Sequence, residues 1–170
     1  MNSPAQYFRA GTGAVIVNSE GLVLACERAD FPGAWQLPQG GLEDSEEPLH
    51  GAFREIAEET GISKDNLELI DTYPEPLVYE LPVSRRSEKT GRGQVQYWFL
   101  FRFHGTDSGI DVNKSREFRA WKWMPFDRLL KLAADMRKPV YRRLAERFQE
   151  YFSGPGTVAS PNDIPSGTAD

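Results

Sequence analysis

The sequence predicts a single α/β domain. Three observations lead to it: a length of 170 residues, which suits one core rather than two; short aliphatic and aromatic runs bounded by turn residues; and longer stretches whose apolar residues recur at helical spacing. The domain is expected over residues 1–152, with a disordered Gly, Ser and Pro-rich tail over 153–170.

Taken in order, residues 13–28 hold two aliphatic runs around Asn18-Ser19-Glu20-Gly21, which predicts an antiparallel hairpin. Residues 30–45 contain Pro32, Gly33, Pro38, Gly40 and Gly41, too many breakers for a regular element, so a shaped loop is expected. From Pro48 to Thr60 the chain starts with proline, stops before Gly61 and carries Ala52, Phe53, Ile56 and Ala57 as an apolar stripe, which predicts a helix. Runs at 67–70, 77–81, 95–103 and 120–124 read as further strands. The nearly apolar-free segment 83–94 reads as a mobile loop whose Arg85, Arg86, Lys89 and Arg92 offer a basic rim. Helices are expected at 126–135 and 139–152, the second with Val140, Leu144, Phe148 and Phe152 four residues apart.

Composition narrows the function. No apolar run approaches the roughly 20 residues of a membrane span, and the first residues lack a leader pattern, so a cytoplasmic protein is expected. Cys26 is the only cysteine, which excludes an internal disulfide and a multi-cysteine zinc site; it reads as an apolar filler. The net charge of -5 argues against a general nucleic-acid binder, and no DNA partner is expected. An acidic chain can still take phosphates where cations bound to carboxylates invert the local sign.

The segment 40–62 concentrates the chemistry. On a helix Glu55, Glu58 and Glu59 stand at i, i+3 and i+4 and share one side, where like charges cost a few tenths of a kcal/mol per pair unless compensated. Arg54 can neutralise one of them, not all. Such an acidic run is in most proteins a solvated face. Hard oxygen ligands in this number otherwise suit Mg²⁺, with Mn²⁺ possible, and zinc less well.

The order of residues decides between these readings. Gly40, Glu46 and then Arg54-Glu55-Ile56-Ala57-Glu58-Glu59-Thr60-Gly61-Ile62 match every defined position of the Nudix box. The chain therefore resembles the Nudix hydrolases. Ala34 to Gly41, Tyr79 to Pro82, Gly93 to Leu100, Glu117-Phe118 and Trp121 to Trp123 further resemble the branch that holds the bacterial RNA 5′-pyrophosphohydrolases and the asymmetric diadenosine tetraphosphate hydrolases.

That resemblance implies an α/β/α sandwich around a mixed central sheet. It also implies a Mg²⁺-dependent pyrophosphohydrolase acting on 5′-triphosphorylated RNA ends or dinucleoside polyphosphates. By position it makes Glu55, Glu58, Glu59 and Glu117 metal ligands, with a backbone carbonyl at Gln39 or Gly40, and leaves open which carboxylate is the base. Arg54 is expected to pair with box carboxylates and Glu46 to hold the loop. Arg9, Arg28, Tyr79, Met136 and Arg137 fall where the family meets phosphate or base. The four tryptophans read as packing residues. The first strand departs from the family: Arg9-Ala10-Gly11-Thr12-Gly13 lacks the branch's asparagine. A nucleoside triphosphate or nucleotide-sugar hydrolase, and a catalytically silent nucleotide-binding module, are the alternatives. Oligomeric state stays open, with a monomer compatible.

Overall fold

The computed structural model describes residues 6–153; the expected tail falls almost wholly on residues outside that range. Strands β1 (Phe8–Val17) and β2 (Val23–Arg28) form the predicted hairpin. Its turn is closed by the Asn18 side chain, whose Oδ1 accepts from the amides of Glu20 and Leu22, each at 3.0 Å.

Segment 30–45 is more regular than its breakers suggest. It carries two short strands, β3 (Trp35–Gln36) and β4 (Gln39–Gly41), the first on β2 and the second on the start of β1. Pro38 lies between them, so the breakers bend the chain from one strand partner to the next. Helix α1 (Pro48–Thr60) has the predicted limits; Gly61 closes it with φ 72°, a left-handed cap that glycine adopts without cost.

Beyond α1 come β5 (Leu67–Thr72), β6 (Leu77–Glu80), β7 (Gly93–Phe103) and β8 (Phe118–Met124). All eight strands join one sheet with the central order β3-β2-β1-β7-β5; β4 extends β1, β6 extends β7, and β8 pairs with β2. β1 and β7 run parallel from Phe8 opposite Gly93 to Val17 opposite Arg102, and the other pairings are antiparallel. The sheet is mixed.

Successive side chains of β1 enter opposite cores. Ala14 and Ile16 join Leu24, Phe99 and Phe101 beneath Ala52 and Ile56 of α1. Val15 and Val17 join Trp98 and Leu100 on the other face, under α2 (Phe126–Leu132) and α3 (Lys138–Phe148). Where a central strand is covered on both faces it is apolar at successive positions, as at Ala14 to Val17. Helices therefore flank the sheet on both sides, the expected α/β/α sandwich. Val140, Leu144, Phe148 and Phe152 are all buried, as their spacing predicts.

Several details depart from expectation. Ala57 is exposed; the stripe that α1 buries runs Ala52, Ile56, Glu59 and Thr60, which follows the helical repeat but includes a carboxylate. The two closing helices are shorter than predicted. α2 stops at Leu132, and tight 3₁₀ turns cover Asp135–Arg137 and Gln149–Tyr151. Segment 83–94 is not featureless: it holds a 3₁₀ turn at Val83–Arg85, a bridge from Ser87 to Gly91, and the first residues of β7. No helix of the described residues is long and apolar enough to cross a membrane.

Candidate active site

α1 faces the β3–β4 segment, and the acidic side chains gather between them. Three hydrogen bonds fix that segment. The Leu37 amide donates to the buried Tyr141 hydroxyl at 2.9 Å, the Ala14 amide to the Pro38 carbonyl at 2.9 Å, and the Gln39 amide to Glu59 Oε2 at 3.1 Å. Gly40 then passes so close to α1 that a Cβ there would lie 1.9 Å from the Glu55 carboxyl carbon. Only glycine admits the Glu55 carboxylate to that place.

Arg54 ties loop and helix together. Its Nε and Nη2 donate to the two oxygens of Glu46 at 2.7 and 2.9 Å, a bidentate pair, and Nη2 also reaches the Gly41 carbonyl at 2.9 Å. Nη1 donates to Glu55 at 2.8 Å and to Glu58 at 3.3 Å. Glu46 further accepts the Glu43 amide at 2.9 Å. The Arg54 hydrogen bonds, then that amide, hold the Glu46 carboxyl down to about 2.

The three box glutamates occupy unlike environments. Glu58 has a side chain 59% exposed, Glu55 one of 14%, and Glu59 is buried at 2%. Burial pushes the Glu55 carboxyl up, against the pull of Arg54. Glu59 is raised well above the ordinary carboxylate range, first by burial and then by the charges of Glu117 and Glu55. One Glu59 oxygen accepts the Gln39 amide; among the described residues the other, Oε1, is buried with no N–H donor and only the Glu117 carboxyl near it, and Oε1 of Gln39 is buried without a hydrogen-bond partner. Among the described residues no three acidic, imidazole or thiol side chains already converge at coordinating distance. Yet a buried carboxylate crowded by two more carboxylates is what a divalent cation satisfies and an apolar wall does not.

Glu117, immediately before β8, is near enough for its charge to act on both Glu55 and Glu59. Arg116 before it has φ 60°, a left-handed conformation costly for arginine, and the Glu117 carbonyl accepts the Ala29 amide at 2.8 Å. Its negative charge also bears on Arg28.

Arg28 leads into a cleft of about 770 Å³. Arg9, Arg28, Tyr79, Met136 and Arg137, five residues from four separate segments, all line it. Arg28 is held by both Asp30 oxygens, each at 2.7 Å, and by Gln36 at 3.1 Å. Arg137 is 7% exposed, lies over the Tyr79 ring at 5.6 Å, and has no carboxylate partner among the described residues. Two members of the expected basic rim are engaged elsewhere: Arg86 and Arg92 both bind Glu80, at 3.0 and 2.9 Å. Of that rim, Arg85 lines the cleft.

Residues 7–148 match the NUDIX domain family. The chain belongs to the Nudix family. It is 41% identical to an RNA pyrophosphohydrolase of Erythrobacter litoralis over 149 residues, which cover 84% of this chain and 91% of that one. It is 33% identical to Nudix hydrolase 25 of Arabidopsis thaliana, covering 93% and 95%. Its fold is similar to that of a C. elegans Ap4A hydrolase in a binary complex, with TM-score 0.63 at 23% identity over 83% of this chain and 98% of the other.

In this Nudix chain Trp35 and Trp98 are buried in the core and Trp121 and Trp123 pack edge to face at 6.2 Å, so the tryptophans serve packing. Cys26 is fully buried, and burial, then Glu59, raises its thiol. Sequence reasoning missed Asp30, Phe31 and Gln36. The usable signal was an aromatic residue inside a Pro and Gly-rich loop next to Arg28.

Proposed function

We propose that this chain is a pyrophosphohydrolase of 5′-triphosphorylated RNA ends, using a divalent cation, Mg²⁺ first and Mn²⁺ second. Relatives at 34–41% identity that carry the name RNA pyrophosphohydrolase support the substrate class. The single observation that carries the metal is the buried Glu59 carboxylate crowded by the charges of Glu55 and Glu117, with no N–H donor on its Oε1 among the described residues.

In this reading Glu55, Glu58, Glu59 and Glu117 would hold the cation with a backbone carbonyl at Gln39 or Gly40. A cation there would supply charge withdrawal from the phosphate oxygens and a more acidic attacking water. Arg54 holds Glu55 and Glu58 on the helix side, and through Glu46 it fixes the loop that places Gly40. Arg9, Arg28 and Arg137 bind the phosphate chain, for which Arg28 exchanges its Asp30 partner for a phosphate of similar fork geometry. Tyr79 and Met136 flank the nucleoside. Glu58 and Glu117, the solvent-facing carboxylates, can take the proton of the attacking water, while one phosphoanhydride bond breaks and a phosphate or pyrophosphate leaves. A monomer in the cytoplasm suffices for this chemistry.

The test is product analysis with purified protein and Mg²⁺, setting 5′-triphosphorylated RNA against diadenosine tetraphosphate at equal concentration. Conversion of the RNA to its 5′-monophosphate, reduced about 100-fold or more in Glu58→Gln, is the expected result. Preferred cleavage of the dinucleotide would move the chain to dinucleoside polyphosphate hydrolysis. Turnover of nothing across a nucleotide panel would make it a binding module.

A further inference from the structure

The cleft has two rims built from segments far apart in sequence. One is the turn that follows β2. Its first amide, Ala29, donates to the Glu117 carbonyl at 2.8 Å; Gly33 donates to the Glu27 carboxylate at 3.0 Å, and Ala34 to the Phe31 carbonyl at 3.1 Å. Glu27 is itself held by Arg119 at 3.1 Å. The turn is thus pinned along its length, yet Phe31 at its apex is 59% exposed and lines the cleft.

The other rim is the 3₁₀ turn Val83–Arg85. The Arg85 amide donates to the Pro82 carbonyl at 2.8 Å, and the Thr90 hydroxyl donates to the Arg85 carbonyl at 2.9 Å. Among the described residues the Arg85 guanidinium has no ion-pair partner, and it too lines the cleft. Both rims line this one cleft, and Asp30, next to Phe31, lines it as well, holding Arg28 through both carboxylate oxygens.

Arg9, Arg28 and Arg137 suffice for a phosphate chain. What the rims offer beyond that is an aromatic face and a planar cation, the two groups that stack on a nucleobase whatever its identity. An isolated exposed phenyl ring needs no explanation; one on a pinned turn that shares a cleft of about 770 Å³ with an uncommitted guanidinium does.

We propose that Phe31 and Arg85 clamp a nucleobase of the substrate at the cleft mouth, so that Phe31 sets affinity without choosing among bases. This rests on the polyphosphate-nucleoside reading given above.

The test is equilibrium binding, with Mg²⁺, of a 5′-triphosphorylated dinucleotide whose two anhydride oxygens are replaced by NH, and of its fully abasic counterpart. Phe31→Ala should weaken binding of the base-bearing probe about tenfold and leave the abasic probe unchanged. Phe31→Trp should bind as wild type does, and Phe31→Leu should resemble alanine, because area without a π face does not stack. Arg85→Ala should weaken both probes, the base-bearing one more. A change within twofold for Phe31→Ala, or equal losses on the two probes, would overturn the clamp. Turnover of 5′-triphosphorylated RNA is followed in parallel. A wild type that turns over nothing counts against the hydrolase reading alone, and the binding contrast still decides the clamp.

Discussion

Replacing Tyr141 by phenylalanine tests how the β3–β4 segment is held. The Tyr141 ring is 1% exposed and packs edge to face on Trp98 at 6.1 Å, while its hydroxyl accepts the amide of Leu37, itself fully buried. Burial raises that hydroxyl to about 12, so it stays protonated at working pH. Phenylalanine keeps the ring and its packing and removes only the acceptor. The Leu37 amide is then a buried donor with no partner, which costs about 1–3 kcal/mol. Taking about 2 kcal/mol, and about 2–4 °C per kcal/mol for a chain of this size, the melting temperature should fall by about 4–8 °C. Thermal unfolding followed by circular dichroism reads this directly, with Tyr73→Phe as control. Tyr73 also packs edge to face, on Phe148, but its hydroxyl has no hydrogen bond among the described residues. A Tyr141→Phe protein as stable as the control would refute the reasoning. Because Leu37 precedes Gln39 by two residues, activity below the transition should fall as well.

Two further outcomes follow from the carboxylates. Glu46 is depressed from 4.5 to about 2 in the folded chain, so its contribution is fully present above about pH 5 and is lost as pH falls toward 2. Denaturant titrations should accordingly show a stability gap between wild type and Glu46→Gln that is wide at pH 6 and narrower at pH 3. Glu59 has the opposite sign: its buried carboxyl is raised, so the ionised form opposes folding. Without metal at pH 8, Glu59→Gln should melt at or above the wild-type temperature. Added Mg²⁺ should stabilise wild type and leave the variant nearly unmoved; a variant that gains as much from Mg²⁺ would remove Glu59 from the ligand set.

The legible parts of the fold are those written in local chemistry. α1 was predicted to the residue because a starting proline, a closing glycine and an apolar stripe agree. The split between Glu58 and Glu59 was not legible. Both belong to one acidic run, and which of them turns inward depends on how α1 rotates against a sheet whose strands come from elsewhere in the chain. β3 and β4 escaped notice for a similar reason, since strands of two and three residues exist only through their partners on β2 and β1. The convergence of Arg9, Arg28, Tyr79, Met136 and Arg137 on one cleft was readable only through the family resemblance. That Glu80 engages Arg86 and Arg92, and so removes half of the expected basic rim, is a tertiary fact with no sequence signature.

The parallel pairing of β1 with β7 has a consequence for how chain length can vary. Ten consecutive residues of β1 are matched to β7, the side chains from Ala14 to Val17 alternate between the two cores, and Gly13 makes room for the Trp98 ring. Inserting or deleting one residue inside either strand would send every later side chain to the wrong face. Insertions and deletions should therefore be tolerated at the Asn18–Gly21 turn and at the exposed residues 106–109 between β7 and β8, and rejected within the two strands, so that random-indel selection would trace this pair as an uninterrupted gap.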